Sequence, residues 1–215
     1  RAAARGRRAA PGARALRLAP GQHLVGADDM AAVVFEAGVD GVQLSSDNEI
    51  SRIRLDVDAE RTAVHNDAGT DDLGTIRLAD VTAAGQVRIL ARDRVRAGHV
   101  VVDGLDVVRA DVRNRPDRPH LLGVGVLQGA FTVWNLQPDD DAVLTADLRR
   151  ISAGREGAPV RGSGAFVGGV LFGLWSNSTN TTLAHLTIRD TYDNAVIFNA
   201  GAQSPRLYSV QVLNA

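Results

Sequence analysis

A six-residue pattern recurs along this chain and constrains its fold more than any other feature of the sequence. Positions one, four and six of the pattern are apolar, and position three carries a residue at which the chain can turn. Successive copies start 28, 24, 46, 35 and 24 residues apart, so one unit is about 24 residues long, with a doubled interval in the middle. The copies begin at Ile50, Leu78, Val102, Leu148, Leu183 and Leu207.

Position three of the pattern predicts a corner between two short strands. Side chains alternate between the two faces of a strand, so apolar residues on both sides of one odd residue share a face only if the backbone bends there. Gly, Asp and His enter the left-handed conformation that such a bend needs at low cost, whereas Arg fits it less well. The predicted corner residues are Arg52, Asp80, Gly104, Arg150, His185 and Ser209.

A coil built from such strands cannot bury its apolar side alone. Neighbouring coils therefore stack about 4.8 Å apart with their strands paired in parallel. The sequence predicts an all-β fold, a right-handed parallel β-helix. A weaker copy of the pattern within 122–128 would divide the doubled interval. The third strand of each coil is expected at 32–36, 63–66, 86–91, 165–168 and 195–199.

The composition excludes several classes of function. The chain of 215 residues has a net charge of −1, which gives no overall basic field for nucleic acid. It contains no lysine, which excludes a Walker A site and a Schiff-base lysine, and no cysteine, which excludes thiolate chemistry. No apolar run approaches 18 residues, so no membrane-spanning helix is expected.

The domain organisation follows from shifts in composition. Residues 1–22 are rich in Arg, Ala and Gly and predict a flexible basic arm, followed by a single β-helix domain at 23–215. Charged residues become rare after 162–173, which could be a join between two segments. No polar closing element follows the last strand, so we expect a fragment whose uncapped C-terminal coil self-associates.

The segment 181–215, TTLAHLTIRDTYDNAVIFNAGAQSPRLYSVQVLNA, resembles the coils of pectin-lyase-like right-handed parallel β-helix proteins. The likeness is close over this segment and loose over 30–215, and residues 22–168 resemble uncharacterised bacterial β-helix proteins. This resemblance implies a secreted or surface protein that acts on or binds polysaccharide, because the superfamily contains polysaccharide lyases, hydrolases and esterases beside non-catalytic proteins. The acidic clusters of its better known enzymes are not identifiable here.

The strongest candidate for a catalytic site is the group Arg189, Asp190 and Asp193, in a loop after a predicted strand. Two carboxylates could flank a glycosidic bond or share a calcium ion, and Arg189 could hold an acidic sugar or act as a base. The alternative, which we favour, is that both aspartates only turn the chain. The acidic run 139–141 lacks the ligand spacing of a calcium loop, so no metal or cofactor is predicted.

Two functions remain open at this point. The first is an extracellular or cell-surface β-helix protein that binds or processes polysaccharide, as a lyase or glycoside hydrolase if it is an enzyme. The second is a structural or adhesive solenoid without catalysis. The expected partners are polysaccharide and a second copy of the chain, and neither nucleic acid nor membrane.

Overall fold

The structure is a computed structural model, and it describes only part of the chain. The described ranges are 2–4, 14–66, 72–91, 97–110, 129–135, 143–153, 168–174, 182–189, 196–198 and 206–213.

The described residues form sixteen β-strands and no helix. The first eight are β1 (Ala2–Ala4), β2 (Leu16–Arg17), β3 (His23–Gly26), β4 (Ala32–Val34), β5 (Val42–Leu44), β6 (Glu49–Asp56), β7 (Thr62–Asn66) and β8 (Gly74–Ala84). The others are β9 (Gln86–Ala91), β10 (Ala97–Arg109), β11 (Gly129–Asn135), β12 (Val143–Ala153), β13 (Gly168–Leu174), β14 (Thr182–Arg189), β15 (Val196–Phe198) and β16 (Arg206–Leu213).

The strands stack into two parallel sheets. The nine-stranded sheet, which we call the corner sheet, has the order β1-β3-β6-β8-β10-β12-β14-β16, with β4 paired to β6. The seven-stranded sheet, which we call the second sheet, has the order β15-β13-β11-β9-β7-β5-β2. Because the chain alternates between the sheets and always pairs in parallel, each circuit is one coil of a solenoid. The predicted parallel β-helix is confirmed.

The six copies of the sequence pattern lie in register on the corner sheet. Ile50 pairs with Leu78, and the pairing continues through each later copy to Leu207. The first apolar position is fully buried at Ile50, Val102 and Leu148. The pattern therefore identifies one column of inward-facing side chains that forms the core.

All six predicted corner residues adopt positive φ angles. The angle is 50° at Arg52, 51° at Arg150 and 87° at Gly104, and the other three lie between 51° and 55°. The corner is therefore a left-handed residue inside one continuous strand, and the side chains on either side of it return to the same face. Arg52 and Arg150 also adopt this geometry, although Arg suits it less well than Gly, Asp or His.

The interval between Val102 and Leu148 is a single long coil, so the predicted doubling is wrong. Strand β10 pairs directly with β12, and β9 pairs directly with β11, which leaves no position for a coil between them. The weaker copy at 122–128 lies outside the described residues. The register shows that this interval contains an insertion within one coil.

Some predictions of the third strand need correction. Residues 32–34 form β4, which pairs with β6 on the corner sheet, and the second-sheet strand of that coil is β5 at Val42–Leu44. The strand predicted at 165–168 is β13, which begins at Gly168. Strand β11 was missed. The predictions at 63–66, 86–91 and 195–199 coincide with β7, β9 and β15.

A narrow aliphatic core lies between the two sheets. Its largest fully buried side chains include Phe131 of the second sheet and Leu105 of the corner sheet, which are 0% and 1% exposed. One polar side chain, Asn48, is 1% exposed and fully used: its Nδ2 donates to the carbonyls of Ala19 and Gln22, at 2.8 and 3.0 Å. Its Oδ1 accepts from the Ser45 amide at 2.6 Å. Asn48 thus ties two coils together.

The predicted arm at 1–22 is described at 2–4 and 14–22. There β1 pairs with β3, β2 pairs with β5, and Leu18 is 6% exposed within the core cluster. The proposed join at 162–173 is described from Gly168, where β13 pairs with β11 and β15.

Candidate functional site

The outward face of the corner sheet carries the chain's most organised polar surface. The six corner residues follow one another in adjacent coils, and we call them the corner row. Their side chains point away from the core because the apolar residues beside them point inward, and those of Arg52, Asp80, Arg150, His185 and Ser209 are exposed. The spacing between coils is about 4.8 Å, and five of the six steps along the row carry a polar side chain, with Gly104 as the exception.

Arg150 joins three coils of this row. Its Nε donates to Asp103 Oδ1 at 2.6 Å, and its Nη2 donates to Asp80 Oδ1 at 2.9 Å, two coils away. Gly104 makes this reach possible, since a Cβ there would lie 2.6 Å from Asp80 Oδ1 and 3.0 Å from Arg150 Nη2. The hydrogen bond to Asp103, followed by that to Asp80, raises the pKa of Arg150 above its ordinary value. The guanidinium therefore stays charged and occupies both carboxylates.

A depression lies beside the C-terminal half of the corner row, along strands β10 to β16. Its floor is Ala184, which is 8% exposed and lies between Arg149 and Tyr208 in the register of β12, β14 and β16. The short side chain leaves a space of about 520 Å³ between its two longer neighbours. The residues that line this space, which we call the Ala184 depression, are Asp103, Arg149, Arg150, Ala184, His185 and Tyr208.

A second depression of about 500 Å³ lies beside the N-terminal half of the row. The one-residue corner is absent between β3 and β4, and the chain makes a longer excursion in which Asp28 Oδ1 accepts from the Met30 amide at 3.0 Å. This excursion holds Met30 at 86% exposure. The lining residues are Asp29, Met30, Ala31, Arg52, Ile53, Arg54, Asp80 and Thr82.

Further contacts between basic and acidic side chains lie on the same face. Arg54 Nη2 lies 2.8 Å from Asp56 Oδ1, and this hydrogen-bonded carboxylate raises the pKa of Arg54. His99 Nε2 lies 3.4 Å from Asp147 Oδ2. No group of three His, Asp or Glu side chains with the arrangement of a metal site occurs in the described part of the chain.

The predicted catalytic group is described only at Arg189, the last residue of β14. Asp190 and Asp193 lie outside the described residues, so this group remains a prediction. The depressions were not predicted from the sequence. Their residues alternate with the apolar core positions, and the signal that could have found them is the outward position next to each corner, read across successive copies.

Comparison with family models, with curated proteins and with solved structures finds no match to this chain. Within the described residues there is no helix, and hence no apolar helix long enough to cross a membrane.

Proposed function

We propose that this solenoid binds an extended polysaccharide along the corner row and its two depressions. The observation that carries the proposal is the row itself: five of its six positions hold an exposed polar side chain, and these follow the spacing of the coils on one face. A glycan chain repeats its hydroxyl groups along one direction, so a surface with the same kind of repetition can bind several sugar units at once. The aromatic ring of Tyr208, 55% exposed, offers a stacking surface at one end.

Binding, and not hydrolysis or elimination, is the function that the described residues support. A glycosidase of the usual kind needs one carboxyl group that donates a proton and a second that acts as nucleophile or base. The carboxylates of Asp80, in the corner row, and of Asp103, next to the row, both accept hydrogen bonds from Arg150. Neither is placed as a proton donor. The candidate group for processing by a lyase or hydrolase remains the predicted one of Arg189, Asp190 and Asp193.

Membership of the pectin-lyase-like proteins is part of this proposal and rests on the sequence of 181–215. The proposed location is extracellular or at a cell surface, where extended polysaccharides occur. Calcium is not required by the proposed mode of binding, because the carboxylates of Asp80 and Asp103 are held by Arg150 and are not needed to contact the glycan.

A panel of immobilised polysaccharides tests the proposal, with an assay of reducing ends and unsaturated products in the presence and absence of calcium. The variant Arg150→Ala, His185→Ala should lose most of the binding. The matched control is Arg17→Ala on the second sheet, where Arg17 Nε donates to Gln43 Oε1 at 3.0 Å far from the row. Absence of binding by the wild type, or equal binding by both variants, would contradict it.

The same assay separates binding from catalysis. If products form, the variant Asp190→Asn, Asp193→Asn should abolish them without loss of binding, and the predicted group is then catalytic. A second candidate function, a structural or adhesive solenoid, is favoured by one observation: Leu207, at a core position of the pattern, is 47% exposed on β16. Self-association without glycan binding would support that candidate.

A further inference from the structure

We infer that the Ala184 depression binds a sugar ring bearing an anionic group, with Arg149 as the residue that pairs with the anion. The inference rests on the proposed function and names the class of polysaccharide. Three observations support it: Arg150 has carboxylate partners whereas Arg149 has none among the described residues, Tyr208 lies opposite Arg149, and the two side chains are two strand spacings apart.

Arg149 and Arg150 are adjacent in the chain but differ in their contacts. Arg150 is occupied by Asp103 and Asp80, at 2.6 and 2.9 Å. Arg149 is exposed and forms no ion pair with any described residue. The carboxylate that lines the depression, Asp103, is therefore already paired with Arg150, whereas Arg149 has no carboxylate partner among the described residues and can direct its guanidinium donors to a ligand.

The opposite wall supplies an apolar surface. Arg149 pairs with Ala184, and Ala184 pairs with Tyr208, so the two walls are separated by two strand spacings, or about 10 Å. A ligand that touches both walls has a flat or partly apolar body against Tyr208 and an anionic group against Arg149. A pyranose ring with a carboxylate or sulfate ester substituent has this shape.

His185 completes the depression from the corner row. Its φ angle of 55° turns the backbone at the corner, and its exposed imidazole lies one coil above Arg150 and one below Ser209. The ring can donate a hydrogen bond to a ligand oxygen in either tautomer. Arg149, His185 and Tyr208 thus come from three successive coils and converge on one space over Ala184.

Binding of matched oligosaccharides by calorimetry tests the inference. Three ligands share one backbone: neutral, carboxylated, and sulfated. The wild type should bind at least one anionic form ten times or more tightly than the neutral form, and this preference should shrink as salt is raised. The comparison of the two anionic forms identifies the substituent that the site prefers.

Variants then locate the effect. Arg149→Gln should reduce the affinity for the anionic ligand to that for the neutral one, while Tyr208→Ala should weaken all three alike. Arg77→Gln is the matched control, since Arg77 is an exposed arginine on the corner sheet outside the depression. Ala184→Leu, which fills the floor of the depression, should weaken the binding of all three ligands. Far-ultraviolet circular dichroism checks that each variant is folded.

The outcomes separate the two proposals. If the wild type binds no glycan, the proposed function is overturned. If it binds neutral and anionic forms equally, or if Arg149→Gln keeps the preference, only the inference about Arg149 is overturned.

Discussion

At the scale of single residues, the corner depends on a backbone conformation that most side chains resist. A left-handed residue costs roughly 1–2 kcal/mol unless it is glycine. Five of the six corners accept this cost with a side chain present. The side chain of Arg150 at its corner is held by two hydrogen bonds, to Asp103 and Asp80, whereas Arg52 forms no ion pair with a described residue. The two arginines therefore adopt the same backbone geometry with different side-chain support.

Arg52 offers a direct test of the corner. Arg52→Gly should raise the free energy of unfolding by about 0.5–1 kcal/mol, because the relief of the left-handed conformation exceeds the extra chain entropy that glycine loses on folding. Arg52→Val should lower it by about 1–3 kcal/mol, because a β-branched residue is an outlier at φ 50°. Urea denaturation measures both. Changes of the same sign in the two variants would contradict the assignment of Arg52 as a left-handed corner.

Asn48 holds its coil to the preceding one through two hydrogen bonds to the carbonyls of Ala19 and Gln22, and a third bond, from the Ser45 amide, fixes the side chain within its own coil. Asn48→Ala would remove these three hydrogen bonds of a buried side chain and should cost about 3 kcal/mol in the free energy of unfolding. Gln43→Ala is the control: Gln43 is polar too, but its bond to Arg17 is exposed, and its loss should cost less than about 0.5 kcal/mol. Equal losses in the two variants would show that Asn48 does not tie the coils.

At the scale of elements, the corner-sheet strands could be predicted well and the second-sheet strands less well. The pattern combines an apolar alternation with an odd residue, and this combination has one physical solution. A short apolar run such as 32–36 has no such marker. There the corner is replaced by an excursion closed by Asp28, so the strand that follows it belongs to the corner sheet. Sequence distance also does not reveal which strands pair, as the long coil between β10 and β12 shows.

The candidate site was not predicted, although its walls hold the same outward position in three copies of the pattern. The walls of the Ala184 depression are contributed one residue per coil, at Arg149, Ala184 and Tyr208, which are separated by 35 and 24 residues. Their meeting depends on the register across a coil of unusual length. Hydrophobic periodicity locates the inward column, but it contains no information on which outward side chains are already paired across coils, as Arg150 is with Asp80.

Truncation of an inward-facing leucine should cost more stability in the middle of the solenoid than on the last described strand, β16. Leu78→Ala should lower the free energy of unfolding by about 2–5 kcal/mol, because Leu78 is 1% exposed and its removal leaves a cavity. Leu207 holds the same position of the pattern but is 47% exposed, so Leu207→Ala should cost less than about 1 kcal/mol. Thermal or urea denaturation of both variants tests this. Similar costs would contradict the burial of the one or the exposure of the other.

At the scale of the whole molecule, a parallel solenoid leaves a sheet edge at each end of its stack. Among the described strands, β16 pairs with β14 on one side only. Leu207 and Tyr208 on this strand are 47% and 55% exposed, and Val210 is half-buried against the core. Unpaired strand edges with exposed apolar residues are templates for pairing with another chain. The free edge of β16 can therefore pair with a strand of another molecule.

We accordingly expect the 215-residue chain to self-associate through β16, with a mean mass that rises with protein concentration. Leu207→Glu should shift this association to concentrations at least ten times higher, because a carboxylate in an apolar contact carries a large desolvation cost. Met30→Glu is the control, since Met30 is 86% exposed on a distant excursion and its substitution should leave the association unchanged. Light scattering coupled to size exclusion measures the mass of each. A wild-type chain that stays monomeric at high concentration, or equal effects of the two substitutions, would show that the edge of β16 is not an associating surface.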